Sequence, residues 1–341
     1  MKNLLVVLFS SLLFATQAQT PKLLLGKALH FQIQHQKDSI DFLVIDSVLT
    51  QKKPVMLFCQ GSLPMPLIVN FKEYGPYLFA GGVSNFNVPE IVKHYHLVVI
   101  SMPHTPVSAD QSQLNSSLAY ITDPAQPYSF TPEYVKADYL QNYVRRAQAV
   151  LKFLKKQPWV DRSKLVVAGH SQGSKVASKV ALENKRVTHL GLFGANPFGR
   201  IDQFVRQARL DAQAGKITWA QADSIMEEKY RLLTAAHQPE TLKEHPDLMA
   251  WKTFSEPLFD DWLRIKCPIY LAYGTDDRVA DLCDLIPLFF IQEGKNNLTY
   301  KRYLGMDHNF FEVDEHGVPN YDKGHWKEVM QQFINWSLTS N

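Results

Sequence analysis

The chain is poor in cysteine. It has three cysteines in 341 residues, Cys59, Cys267 and Cys283. That number is too small for a disulfide scaffold, and no Cys and His spacing resembles a zinc site. The sequence does not decide whether a single disulfide forms, for example between Cys267 and Cys283. Without such a framework the fold has to rest on an ordinary hydrophobic core.

The chain also lacks an excess of one charge. It has 36 basic and 33 acidic residues, for a formal net charge of +3. Basic residues form no long run, and pairs such as Lys301 with Arg302 are isolated. Nucleic-acid binding needs a clustered basic surface. We therefore expect no nucleic-acid partner.

Long hydrophobic runs are absent except at the N-terminus. Lys2 precedes an apolar run over residues 4–14, and small residues follow it up to Ala18. The run is shorter than the roughly 20 apolar residues of a membrane span. This pattern predicts a signal peptide over residues 1–18, cleaved after Ala18, and a secreted or periplasmic protein. The alternative is an uncleaved anchor, but we expect no stable membrane insertion after cleavage.

The rest of the chain, residues 19–341, alternates buried strands with helices. Two strands lie within residues 28–48, and residues 105–130 are rich in turn formers and predict a long loop. This order predicts an α/β fold with a mostly parallel central sheet flanked by helices. The later strands are predicted at 54–59, 96–101, 164–168, 190–193, 268–273 and 298–303, and the helices at 132–156, 171–183, 281–293 and 323–337.

Residues 197–262 interrupt this alternation. The segment predicts helices at 200–214 and 219–237 and contains no apolar run typical of a core strand. We therefore predict a helical insertion, a cap or lid placed over the edge of the sheet, and not an independent domain.

The strongest chemical motif is Gly-His-Ser-Gln-Gly at residues 169–173. It follows a predicted strand and opens a predicted helix, which is the context that gives a G-x-S-x-G motif its meaning. The serine of such a motif lies on a sharp, strained turn that only small neighbours tolerate. The motif predicts Ser171 as a nucleophile.

A serine hydroxyl needs a base, and the base needs a carboxylate to orient it. In chain order, Asp276 and Asp277 follow one predicted strand, and His308 follows the last. His308 is the predicted base, and by position either aspartate could be the acid. Among the other histidines, His104 could line the site, and His170 is expected to pack beneath the serine.

An oxyanion intermediate needs two preorganised donors. The backbone N–H of Gln172 is the first predicted donor because it follows the serine. The second is expected from the loop after the strand at 54–59, where Gly61 permits a tight turn and Ser62 or Leu63 presents its N–H.

These motifs resemble the α/β-hydrolase superfamily over residues 28–340. The resemblance rests on residues 169–173, on Gly-Thr-Asp-Asp-Arg-Val at 274–279, and on Asp307 with His308. The family pattern Gly-Thr-x-Asp-x-x-Val implies that Asp277 is the acid, with Asp276 as the alternative. The oxyanion loop departs from the common His-Gly pattern, because Gln60 stands in place of the histidine. Lidded esterases, thioesterases and prolyl-oligopeptidase-like peptidases are the most similar members.

The resemblance implies acyl transfer through an acyl-enzyme, with no cofactor and no metal. A carboxylesterase-like enzyme acting on a small-molecule ester or acyl substrate is the leading hypothesis. A serine peptidase, an acyltransferase and a non-catalytic binding protein of the same fold are the alternatives. Aromatic residues of the insertion could line an acyl pocket or attach the lid to the body; they are Trp219, Tyr230, Trp251, Phe254, Phe259 and Trp262. Trp251 and Phe254 are the main pocket candidates.

Overall fold

A computed structural model describes residues 21–36, 38–46 and 48–340. The predicted signal peptide at 1–18 lies outside these described residues. The strands are β1 (Lys22–Leu24), β2 (Ala28–His35), β3 (Asp38–Ile45), β4 (Lys53–Cys59), β5 (Ile68–Phe71), β6 (Gly75–Leu78), β7 (His96–Ile100), β8 (Ser108–Asp110), β9 (Val160–His170), β10 (His189–Phe193), β11 (Ile269–Gly274), β12 (Leu298–Tyr303), β13 (Phe311–Val313) and β14 (Pro319–Gly324). The helices are α1 (Val88–His94), α2 (Pro132–Ala137), α3 (Leu140–Leu154), α4 (Gln172–Glu183), α5 (Arg200–Gln213), α6 (Trp219–Ala236), α7 (Pro239–Glu244), α8 (Leu248–Phe254), α9 (Phe259–Arg264), α10 (Ile286–Gln292) and α11 (Trp326–Thr339).

Nine strands form one sheet in the order β1-β2-β3-β7-β4-β9-β10-β11-β12. Strands β7, β4, β9, β10, β11 and β12 are mutually parallel, whereas β1, β2 and β3 join them as an antiparallel edge. The predicted mostly parallel α/β sheet is confirmed. Its carboxyl edge carries the ends of β4, β9, β10 and β11, so loops that are far apart in sequence meet there.

Helices cover both faces of the sheet, which explains why its central strands are apolar along their length. One core cluster packs α3 and α4 against the sheet, and the other packs α1 and α11 against the opposite face. Strands β10 and β11 are buried at every position. Strands with both faces covered read as continuous hydrophobic runs, and this is why they could be recognised in the sequence.

The helix predicted at 132–156 is two helices. The backbone leaves helical geometry at Asp138 and is fully extended at Tyr139. The amide of Leu140, which opens α3, donates to Thr253 Oγ1 on α8 at 3.1 Å. The acceptor for the Leu140 amide therefore lies 113 residues away in the sequence. Helical periodicity alone gives no sign of this interruption.

Two further regions differ from expectation. The predicted loop at 105–130 contains β8, which pairs with β5 in a small three-stranded sheet of order β6-β5-β8. Strands β13 and β14 form a hairpin between the His308 loop and α11. Strands β8, β13 and β14 are short and contain no continuous apolar run of the kind by which the core strands were predicted.

The segment 197–262, between β10 and β11, holds α5 to α8 and most of α9. Helix α5 packs on α6, α6 packs on α8, and α9 packs on α4 of the body. No helix in the described part of the chain is both long enough and apolar enough to cross a bilayer.

All three cysteines lie within the described ranges and are free thiols, so the bridge considered between Cys267 and Cys283 is not formed. Cys59 and Cys283 are buried, and the Cys283 thiol donates to the carbonyl of Ala195 at 3.1 Å.

Candidate active site

Ser171 occupies the sharp turn between β9 and α4. Its backbone has φ 54° and ψ −123°, a conformation that costs free energy for a residue with a side chain. Hydrogen bonds on both sides maintain the turn: the Ser171 amide donates to Phe193 O at 3.0 Å, and the Ser174 hydroxyl donates to Ser171 O at 2.6 Å. The turn therefore places the serine at the carboxyl edge of the sheet, beside the end of β10.

The two glycines of the motif are required by close backbone contacts. A Cβ on Gly169 would lie 2.1 Å from Gly173 O, and a Cβ on Gly173 would lie 2.0 Å from Cys59 O. Both distances are far below van der Waals contact, and both partners are backbone atoms. The motif glycines thus allow β4, β9 and α4 to approach closely enough to form the turn.

Asp277 and His308 form a hydrogen-bonded pair. His308 Nδ1 donates to Asp277 Oδ2 at 2.9 Å, while Asp277 Oδ1 accepts from the amides of Val279 and Ala280. Burial would raise the pKa of Asp277, but the charge and hydrogen bond of His308, with the Val279 amide, lower that pKa below its usual range. The carboxylate therefore stays ionised despite being 2% exposed.

The same pair acts on the pKa of His308. Burial would lower the pKa of His308, but the charge of Asp277 and the hydrogen bond to it outweigh burial, so the pKa is raised. Because Nδ1 carries the proton bonded to Asp277, Nε2 is the ring nitrogen left to take or give a proton. His308 lines the same cavity as Ser171.

The loop that carries His308 is braced from within. Asp307 Oδ1 accepts from the amides of Asn309 and Phe311 at 2.9 and 2.8 Å. Gly194, directly after β10, has φ +52°, and a Cβ there would lie 3.0 Å from His308 Nδ1 and 3.2 Å from Asp277 Oδ2. This glycine leaves room for the pair, and it was not singled out from the sequence although it follows a buried strand.

His170 supports His308 from the side. Its Nε2 donates to the carbonyl of His308 at 2.9 Å, and the two rings lie 4.8 Å apart. Burial lowers the pKa of His170 to about 3, with the nearby charge of His308 adding to the effect. The imidazole is therefore neutral at ordinary pH and helps to position the His308 loop.

Asp276 has a different environment from Asp277. It is exposed, its carboxylate accepts from the Thr275 hydroxyl at 3.3 Å, and its amide donates to Met306 O at 3.0 Å. Of the two aspartates considered, the structure brings Asp277 to His308 and turns Asp276 toward solvent.

The loop after β4 runs beside Ser171. The Cβ position of Gly61 lies 3.8 Å from Ser171 Cβ, and Ser62 and Leu63 line the cavity around the serine. Leu63 has φ 84°, so the chain bends sharply there. Gln60 anchors the loop, since its Nε2 donates to Ile100 O at 2.6 Å. The glutamine in place of the family's histidine therefore ties the loop to β7.

Two cavities meet at Ser171. The larger, about 620 Å³, contains Gln172 of the motif and a wall of aromatic side chains from the 128–134 segment, α5 and α8: Tyr128, Phe130, Tyr134, Phe204, Trp251 and Phe254. The smaller, about 340 Å³, extends toward Phe58, Phe86 and Trp326. Ser62, Leu63, Ser171 and His308 line both. A ligand bound at Ser171 would thus have a separate space on each side.

The structure divides the residues that were considered for the pocket. His104 is exposed and lines neither cavity, because the chain turns after β7 and His104 itself adopts φ 49°. Trp251 and Phe254 do line the larger cavity. The other four aromatic residues of the insertion do not: Trp219 and Tyr230 are exposed, Trp262 is buried with its indole donating to Ser178, and Phe259 packs on Phe198 and Phe289.

Three charged residues of the larger cavity were not predicted from the sequence. Arg200 opens α5 and donates to Gln172 Oε1, Lys175 lies one helical turn after Ser171, and Asp138 accepts from the Tyr143 hydroxyl at 2.8 Å. Burial raises the pKa of Asp138 and lowers that of Lys175 to about 7. The i, i+4 spacing of Lys175 from Ser171 could have predicted that Lys175 lies near the serine. No local pattern in the sequence predicts that Arg200 reaches the same cavity.

Within the described ranges, no group of three or more His, Cys, Asp or Glu side chains is arranged to hold a metal ion.

The family model described as "Alpha/beta hydrolase family" matches residues 87–329. Those residues include Ser171, Asp277 and His308 but begin after the loop that holds Gly61. No curated protein matches the chain at a significant level.

Solved structures with the same fold include two peptidases and a thioesterase domain. A putative dipeptidyl aminopeptidase IV from Bacteroides ovatus has a TM-score of 0.54 and 13% identity, covering 90% of this chain and 35% of its own. Uncomplexed acylaminoacyl peptidase from Pyrococcus horikoshii has a TM-score of 0.53 and 13% identity, with coverages of 90% and 41%. The thioesterase domain from the curacin biosynthetic pathway has a TM-score of 0.50 and 13% identity, with coverages of 92% and 99%.

This chain therefore spans about two fifths or less of the length of those peptidases. At such identities the likeness shows the fold alone.

Proposed function

We propose that this chain, which belongs to the alpha/beta hydrolase family, is a serine hydrolase that cleaves an ester-type acyl bond. The observation that carries the proposal is the hydrogen bond from His308 to the buried Asp277, with His308 lining one cavity together with Ser171, which is held on a strained turn. Strain of this kind persists where the surrounding structure enforces it, as at sites of chemistry.

The proposed reaction has two steps. Ser171 Oγ attacks the carbonyl carbon of the substrate while His308 Nε2 takes the hydroxyl proton, and His308 then gives that proton to the leaving oxygen. Asp277 holds the imidazole in the required tautomer and stabilises the imidazolium. Water, deprotonated by the same histidine, hydrolyses the acyl-enzyme and restores Ser171.

The developing oxyanion would be stabilised by backbone amides. The Gln172 amide lies at the first position of α4, where intrahelical acceptors are lacking. The amides of Ser62 and Leu63 belong to the loop beside Ser171. Gln60 would hold that loop in place through its bond to Ile100. A donor already in place loses no reorganisation energy during the reaction.

The helical insertion, residues 197–262, is proposed to act as a cap over the larger cavity. Arg200, Phe204, Trp251 and Phe254 from this segment line the cavity, so it supplies part of the substrate-binding wall. We also propose export of the protein with cleavage after Ala18, on the sequence pattern of residues 1–18. The mass of the protein recovered outside the cytoplasm tests the cleavage site.

The first test is covalent labelling with a fluorophosphonate, a probe that reacts with activated serines. We expect the wild-type protein to be labelled and Ser171→Ala to remain unlabelled. Ser163→Ala is the matched control, because Ser163 is an exposed serine on the strand that leads to Ser171, and it should be labelled like the wild type. We expect Ser171→Ala to lose p-nitrophenyl ester hydrolysis by at least about a thousandfold.

Two results would count against the proposal. Labelling of Ser171→Ala at the wild-type level would remove Ser171 as the nucleophile. A folded wild-type protein that neither reacts with the probe nor hydrolyses any ester would indicate a binding protein. Matched p-nitroanilide substrates show whether amide bonds are cleaved, which a peptidase requires.

A further inference from the structure

Arg200 is the charged group that stands out in the larger cavity. It lines the cavity together with Ser171, and its guanidinium carbon lies 4.9 Å from the centre of the Phe254 ring and 5.5 Å from that of Trp251. One guanidinium nitrogen donates to Gln172 Oε1. An arginine has five N–H donors in a planar fork, and the bond to Gln172 is the one side-chain hydrogen bond that Arg200 makes among the described residues, so most of its donors have no protein acceptor there.

Among the described residues, Arg200 has no carboxylate in direct contact. Burial lowers the pKa of Arg200, although the charge of Asp138 acts on it through space and raises that pKa. No carboxylate of the described residues lies within 4.0 Å of its nitrogens. Two other largely buried arginines each have a carboxylate partner: Arg146 lies 2.7 Å from Asp38, and Arg206 lies 2.9 Å from Asp202. A charge shielded from water is costly unless an opposite charge or hydrogen bonds compensate it.

The charges around Arg200 leave the cavity wall positive. Lys175 is buried beside it and donates to Phe198 O at 2.8 Å, but no described carboxylate lies within 4.0 Å of its ammonium either. Asp138 is the one acid among the lining residues, and the Tyr143 hydroxyl bonds to it. Arg200 and Lys175 are two basic groups against this one acid, so the wall is positive whenever Lys175, with its pKa of about 7, is protonated.

We propose that this wall binds a carboxylate on the substrate, so that the enzyme acts on acyl esters that bear a second, free carboxylate at the far end of the acyl chain. The carboxylate would accept hydrogen bonds from Arg200 while the ester carbonyl lies at Ser171. A planar carboxylate matches the planar fork of a guanidinium, and its single charge balances the wall. The aromatic rings would cover the methylene groups between the two ends. The inference rests on the proposed hydrolase function.

The kinetic test compares mono-p-nitrophenyl adipate with p-nitrophenyl hexanoate, which differ in the terminal carboxylate. We expect wild-type kcat/KM to be about tenfold or more higher for the charged ester. Arg200→Gln is expected to abolish this preference, and Arg200→Lys to retain part of it because the charge remains without the fork. Arg209→Gln, an exposed arginine on the same helix, is the matched control and should keep the wild-type preference.

The inference is overturned if the wild-type enzyme shows no preference for the charged ester. It is also overturned if Arg200→Gln lowers kcat/KM equally for both esters, since Arg200 would then act only through Gln172. Series from succinate to suberate monoesters locate the carboxylate by the chain length at which the preference is greatest.

A binding measurement separates failure of this inference from failure of the proposed function. Calorimetry with Ser171→Ala and free adipate requires no catalysis, and we expect binding that is lost when Arg200→Gln is added. Adipate binding without hydrolysis of any ester would support the carboxylate site and contradict the hydrolase. Hydrolysis of neutral esters without adipate binding would support the hydrolase and contradict the carboxylate site.

Discussion

Asp277 illustrates how the surroundings of a single residue assign its role. Its neighbour Asp276 has the same chemistry and is one position away, yet only Asp277 is buried, accepts two backbone amides and bonds to His308. The low pKa of Asp277 and the raised pKa of His308 both favour the ionised pair. These two shifts lead to a prediction for the pH dependence of activity.

Asp277→Asn is expected to lower kcat by about a thousand- to ten-thousandfold, because an amide stabilises neither the required tautomer nor the imidazolium. In the proposed mechanism His308 acts as a base when neutral, so activity is expected to rise as pH increases through its pKa. Removal of the Asp277 charge lowers that pKa, and the acidic limb of the residual pH profile should move to lower pH.

Asp276→Asn is the matched control and should change kcat by less than about threefold. A shift of the acidic limb to higher pH in Asp277→Asn, or a large loss in Asp276→Asn, would show that the pair has been misassigned. Stopped-flow or steady-state kinetics of ester hydrolysis across pH 5 to 9 measure both.

Among the elements, the interrupted helix α2–α3 links the helical insertion to the body of the protein. The break at Asp138 and Tyr139 turns Asp138 toward the larger cavity and begins α3 at Leu140. Thr253 of α8 stabilises this start by accepting from the Leu140 amide, and its own hydroxyl donates to Met249 O. The hydrogen bond between Leu140 and Thr253 therefore joins the start of α3 to α8, which carries part of the cavity wall.

Thr253→Val retains the shape of the side chain but leaves the buried Leu140 amide without its acceptor. We expect the free energy of unfolding to fall by about 1–2 kcal/mol in urea. Thr234→Val on α6 is the control, because Thr234 also donates to the carbonyl four residues back but is exposed and bonds to no other element. The control should lose less than about 0.5 kcal/mol, and equal losses would contradict the role assigned to Thr253.

For the whole molecule, buried histidines tie stability to pH. Burial lowers the pKa of His96, His170 and His189, so the folded state holds each of them neutral. The stability that each contributes is present above the unfolded pKa of about 6.5 and is lost as pH falls below it. The raised pKa values of His308 and Asp138 act in the opposite sense, favouring the folded state as pH falls, but they are two groups against three.

We therefore expect the urea midpoint and the Tm to fall between pH 7.5 and pH 5. His189→Gln, remote from Ser171, should be less sensitive to pH than the wild type over this range, because His189 is buried and bonds through its ring to Ser340 O. His316→Gln, which alters an exposed histidine, should follow the wild type. A midpoint that is constant or higher at pH 5 would show that the buried histidines do not govern acid stability.

Local patterns were enough for the parallel sheet and for the position of Ser171. A strand covered on both faces has to be apolar along its length, and a turn with close backbone contacts has to use glycine, so both leave a mark in a few consecutive residues. The choice of Asp277 over Asp276 came from a family pattern in the acid loop, which is also local.

Other features depend on residues that meet only after folding. The break in α2–α3 is satisfied by Thr253, the pair is accommodated by Gly194, and His104 is directed outward by its turn. Arg200 and Lys175 come to one cavity from different helices. No spacing in the sequence predicts that neither of them forms an ion pair with a carboxylate of the described residues. Periodicity reports which residues are buried, whereas the composition of a cavity depends on which distant surfaces enclose it.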